Sequence, residues 1–92
     1  MGAVAEAIRA KLESALSPTR LEVVDQSHLH AGHAGAREGG ESHFHVTVIA
    51  QAFAGEGRIA RQRRVYAILA AELAGPVHAL GLTLSAPEEA VP

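Results

Sequence analysis

Six histidines and no cysteine make imidazole the foremost metal-binding side chain of this 92-residue sequence. Five of them, His28, His30, His33, His43 and His45, crowd into one stretch, and His78 stands apart at the opening of a later apolar run. Imidazole is the commonest side-chain metal ligand and titrates near neutrality. Three of the five lie in the Gly/Ala-rich segment His28-Leu29-His30-Ala31-Gly32-His33-Ala34-Gly35. Ligation of a metal ion or cluster is the first chemistry this pattern suggests. A solvated polar loop that collects histidines, or one that picks up zinc adventitiously, is the plain alternative.

The densest positive charge is Arg58, Arg61, Arg63 and Arg64. It could meet phosphates or an acidic partner, or simply be the solvated side of a helix. Helical spacing turns Arg61 and Arg64 away from Arg63, so no single flat basic face is expected. The net charge of −2 also argues against a general polyanion binder. Ser14, Ser17, Ser27, Ser42 and Ser85 belong to no nucleophile motif, and no glycine-rich phosphate loop with a lysine is present. The expectation is a protein that is not an enzyme.

These residues need elements to hold them. Val4, Ile8 and Leu12 recur every fourth residue, continued by Ala15 and Leu16, which predicts an amphipathic helix ended by Ser17-Pro18. Leu21 to Gln26 reads as a strand, and Ser27 to Glu41 has no period of either kind. Such long connections within a small domain are often functional. His43 to Gln51 alternates: Phe44, Val46, Val48 and Ala50 share one face, while His43, His45, Thr47 and Gln51 share an exposed or half-covered one. The two strands should form a long-looped antiparallel hairpin. Phe53 to Gly57 is a turn. Arg58 to Leu73 is a second helix with Ile59, Val65, Tyr66, Leu69 and Leu73 on its apolar arc, stopped by Gly75-Pro76. Val77 to Leu84 is a third strand on which His78, Leu80, Leu82 and Leu84 point the same way. Ser85 then caps a short final helix at Pro87-Glu88-Glu89.

The order is α-β-β-α-β-α. A strand–helix–strand crossover makes the last strand parallel to the second, which gives an α+β fold with a mixed three-stranded sheet and helices packed on one face. Residues 1–92 are expected to form one domain. Its core must be aliphatic, because Phe44, Phe53 and Tyr66 are the only aromatics. No run approaches the roughly 18 apolar residues of a membrane span. The start lacks the basic and apolar regions of a secretory signal, and Glu6 replaces the Ser or Thr of a myristoylation motif. A cytoplasmic location is expected, and the lack of cysteine fits a reducing compartment without requiring one.

Several blocks resemble the BolA-like proteins, in the same order and at close to the usual spacing. They are Leu21-Glu22-Val23-Val24-Asp25-Gln26-Ser27-His28, Glu41-Ser42-His43-Phe44, Phe53-x-Gly55, Ala60-Arg61-x-Arg63-x-Val65-Tyr66 and Gly75-Pro76-Val77-His78-Ala79-Leu80. The resemblance implies a fold akin to the type II KH domain. It also implies a monothiol glutaredoxin as partner, with a [2Fe–2S] cluster shared between the two proteins and glutathione. One ligand is then the histidine opening the last strand, His78. The other comes from the loop between the first two strands, with His33 preferred, His30 next and His28 third. Asp25 and Glu41 flank that loop and could orient a ligating imidazole. The family is also associated with DNA-binding regulation, for which Arg61, Arg63 and Arg64 are the candidates.

Two departures matter. Gln62 stands where the family usually has histidine between two arginines, which removes a possible ligand. The turn Gly55-Glu56-Gly57 is not the Gly-x-x-Gly loop with which KH domains clamp a nucleic-acid backbone.

Overall fold

The computed structural model describes residues 2–26 and 42–90. The chain runs through helix α1 (Ala3–Leu16), strand β1 (Arg20–Asp25), strand β2 (His43–Ile49) and a 3-10 turn at Gln51–Phe53. Helices α2 (Arg58–Ile68) and α3 (Ala70–Ala74), strand β3 (Ala79–Ser85) and a 3-10 turn at Pro87–Glu89 follow. The sheet order is β1-β2-β3, with β1 antiparallel and β3 parallel to β2. The expected α+β architecture with its mixed sheet is that of the molecule.

Helix α1 buries Ala5, Ile8, Leu12 and Leu16, a stripe at three- and four-residue spacing. It ends where Ser17 takes a left-handed conformation (φ 45°) while donating its N–H to the Glu13 carbonyl. A left-handed residue stops the helix, and Pro18 follows it. In β2 the alternation holds: Phe44, Val46 and Val48 are buried, continued by Ala50. The register sets Leu21 and Leu84 beside Val48, and Val23 and Leu82 beside Val46, so all three strands offer aliphatic side chains to one face. Ile8 and Leu12 of α1, Val65 of α2, Phe53 and Leu69 complete that core at 0–1 % exposure. Burying each such side chain stabilises the fold by about 1.5–3 kcal/mol.

Four expectations give way to tertiary geometry. The second helix breaks at Leu69 (φ −101°, ψ 20°) with no proline or glycine to mark it. The break keeps Leu69 in the core, and in α3 Glu72 meets Lys11 of α1 at 2.8 Å. Ile59 and Tyr66 lie outside the buried arc, 65 % and 41 % exposed. At 100° per residue, an arc centred on buried Val65 takes in Arg61, Gln62, Ile68 and Leu69 and leaves Ile59 and Tyr66 on its flank. Arg61 therefore points inward, its side chain 11 % exposed. His78 precedes β3 rather than belonging to it, so it is exposed and does not share the leucine face. Finally, the C-terminal helix is a single 3-10 turn capped at Ala86, not Ser85: the Ala86 N–H donates to the Glu89 carboxylate at 2.9 Å.

Candidate functional site

His43 and His78 stand at one end of the sheet, and Arg61 of α2 stands at the other. Strands β2 and β3 run in parallel from His43 and Ala79 to Ile49 and Ser85. At about 3.3 Å per residue, the two ends are roughly 20 Å apart.

At the first end, three backbone contacts build a corner. The His43 carbonyl accepts the N–H of Gln26 at 2.7 Å and closes the hairpin. The Ser42 carbonyl accepts the N–H of His78 at 2.7 Å and of Ala79 at 3.2 Å. Ser42, which follows the segment 27–41, thus meets the start of the third strand, while Gln26, which precedes that segment, pairs with His43 on the β1 side of β2. His28, His30, His33 and Glu41 lie outside the described residues. Asp25 closes β1 opposite Phe44 and is exposed.

His78 is exposed, and its ring lies beside that of His43, with centroids 6.3 Å apart and planes 22° from parallel. His43 is buried, at 8 % exposure, rather than on an open face. Its Nδ1 lies 2.8 Å from the hydroxyl oxygen of Ser42, which is fully buried. Sequence reasoning missed this pairing because it gave His78 and His43 different partners by alternation. The bend before β3 breaks that alternation, and the register of His43 with Ala79 brings the rings together. His45 turns across β3 instead. Its Nε2 lies 2.9 Å from the Thr83 hydroxyl, and its ring covers Gly81, where an added Cβ would come within 2.8 Å of Nδ1.

Among the described residues no group of three or more His, Asp or Glu side chains could hold a metal ion. The corner offers the exposed imidazole of His78, and a metal bound there must draw its other donors from the neighbouring segment or from another molecule. The described residues thus hold one exposed candidate ligand and no complete donor set.

At the other end, the arginines separate into paired and unpaired. Arg61 is enclosed: it donates to both Glu89 carboxylate oxygens at 2.6 and 2.8 Å, to the Glu56 carbonyl at 2.9 Å and to the Leu84 carbonyl at 3.3 Å. Its guanidinium also stands 5.9 Å from the centre of the Phe53 ring. Hydrogen bonding by Arg61, with the Ala86 N–H in second place, holds the Glu89 carboxyl down at about 2. Arg64 grips Glu56 through two hydrogen bonds, which lower the Glu56 pKa. Arg58 and Arg63 are exposed and form no ion pair among the described residues. Between α2 and β3 opens a cleft of about 440 Å³, lined by Glu56, Arg58, Arg61, Gln62, Leu82, Leu84 and Glu89. Gln62 is half-buried at its wall. Of the three arginines nominated for nucleic acid, Arg61 and Arg64 are thus committed internally and Arg63 is not.

No helix among the described residues is long and apolar enough to cross a membrane. The BolA-like protein family model matches residues 12–89. Human BolA-like protein 1 is 46 % identical over 89 residues, which is 97 % of this chain and 62 % of that protein, so the chain spans less than two thirds of the relative. The Escherichia coli (strain K12) protein named DNA-binding transcriptional regulator BolA is 44 % identical over 79 residues, 86 % of this chain and 71 % of that one. The structure of the BolA domain of SufE1 from Arabidopsis thaliana superposes with a TM-score of 0.88 at 39 % identity, covering 97 % of this chain and 98 % of that one. With the blocks read from the sequence, the sheet order and these matches in agreement, the chain belongs to the BolA-like family.

Proposed function

We propose that this protein is a non-enzymatic partner of a monothiol glutaredoxin and shares a [2Fe–2S] cluster with it, in cluster trafficking or iron sensing in the cytoplasm. The observation that carries the reading is the corner at Ser42, where the exposed His78 donates its N–H to the carbonyl of the residue that follows the segment bearing His33 and His30. On this reading His78 supplies one ligand, and His33, or His30 in its place, supplies the second. The glutaredoxin cysteine and the glutathione thiolate hold the other iron, since this chain has no thiol of its own. Imidazole ligands leave such a cluster less negative than thiolates do and raise its potential, as in Rieske centres. Each histidine must be deprotonated at its ligating nitrogen, so loading weakens as the pH falls.

The test is to mix the protein with a monothiol glutaredoxin, glutathione, iron and sulfide and follow the visible absorption and circular dichroism. The expected outcome is a spectrum distinct from that of the glutaredoxin homodimer. The difference should be abolished by His78→Ala and weakened by His33→Ala. Spectra unaltered in both variants would remove the ligand assignment.

A second reading, DNA-binding regulation, is favoured by the Escherichia coli relative and by Arg58 and Arg63, which are exposed and form no ion pair among the described residues. It predicts a salt-dependent gel shift that falls on Arg58→Ala/Arg63→Ala. Retained binding in that double variant would count against it.

A further inference from the structure

We propose that Ser42 and His43 are positioning residues that hold the His78 imidazole in the orientation its ligand role requires; the proposal rests on the cluster-sharing reading above. An exposed imidazole on the bend before a strand has several rotamers open to it, and fixing one costs conformational entropy. Here one flank of the ring is taken. The His43 ring lies alongside at 6.3 Å and 22°, inside the range of about 4.5–7 Å in which aromatic rings pack in offset stacks.

The plate against which His78 packs is itself fixed. His43 is 8 % exposed, and its Nδ1 meets the hydroxyl of Ser42, a residue with no exposed surface. Ser42 therefore acts on both rings. Its carbonyl accepts the His78 N–H at 2.7 Å and so sets where that side chain departs from the backbone, while its hydroxyl sets the plane of the ring alongside. The arrangement belongs to the folded protein before any partner arrives. It leaves His78 fewer orientations to lose when its nitrogen engages iron. Residues that orient a ligand in this way are typically worth about 10–100-fold in metal affinity.

The full chain carries the test, in two measurements. In the protein alone, NMR of the His78 ring protons should show a shift in His43→Leu, because the neighbouring ring current is lost. In the mixed complex with a monothiol glutaredoxin, His43→Leu and Ser42→Ala should load a cluster with altered circular dichroism and electron paramagnetic resonance signals. They should also lose it to a chelator about tenfold faster than the unaltered protein. His43→Phe, which keeps a flat ring in the same place, should restore most of the lifetime. Wild-type spectra and lifetimes in both His43→Leu and Ser42→Ala would overturn the proposal. So would a His43→Phe variant as defective as His43→Leu, since that would assign His43 imidazole chemistry rather than support. If the unaltered protein forms no mixed cluster, the proposed function fails. Unshifted His78 ring protons in uncomplexed His43→Leu would overturn the positioning role by themselves.

Discussion

Arg61 and Arg63 stand two positions apart on one helix and have opposite circumstances. Arg61 is turned into the fold, its side chain only 11 % exposed, and ties α2 to the C-terminal turn through Glu89. Arg63 meets solvent. The identity of the two residues was legible in the sequence, but not this difference, because it depends on which side of the helix the core takes. The Arg61–Glu89 pair carries a pH signature. Glu89 titrates at about 2 rather than 4.5, so its ionised form is favoured by folding. A depressed carboxyl contributes its full stabilisation above its unfolded pKa, and that contribution fades as the pH falls toward the folded value. Glu89→Gln should therefore be less stable than the unaltered protein at neutral pH. The gap should narrow below about pH 4.5 and close near pH 2. Urea unfolding across that range measures it, and a gap constant down to pH 2 would show that ionisation of Glu89 contributes nothing.

At the scale of the element, β3 shows how neighbouring strands assign meaning to a residue. Gly81 in a strand suggests only a weak point when read alone. In the sheet it lies beside His45, and the missing Cβ is the space the imidazole ring occupies on its way to Thr83. Gly81→Ala should push the ring aside and break that hydrogen bond, at a cost of about 1 kcal/mol. In a His45→Ala background the same substitution should be neutral or slightly stabilising, because alanine suits a strand at least as well as glycine. Unfolding midpoints of the four proteins decide it, and equal costs in both backgrounds would mean that the ring and Gly81 are not coupled. The helices repeat the lesson. The stripe Ile8, Leu12, Leu16 was readable because all three face one core. The break at Leu69 was not, because the local sequence is uniformly helix-compatible and only packing demands the turn.

At the scale of the whole molecule, the parallel pair β2 and β3 keeps the two proposed chemistries apart. His78 and its supports stand at one end of the sheet, and Arg58, the cleft and Glu89 at the other. Substitutions at sites this far apart usually act independently. His78→Ala should therefore leave any gel shift intact, and Arg58→Ala/Arg63→Ala should leave the mixed-cluster spectrum intact; a variant that disturbs both readouts would point to one shared surface. The sequence alone determined the order of elements, the antiparallel hairpin followed by a parallel strand, and the aliphatic inner face, since each is written in local periodicity and turn chemistry. It also singled out His78, and no structure was needed to note that the chain has no thiol. Only the tertiary structure decided that His43 is buried against His78, that Ser42 joins the two, and that Arg61 and Arg64 are spent on Glu89 and Glu56. Those partners lie far along the chain or hang on the pairing of strands and the rotation of a helix, and no local pattern of residues specifies either.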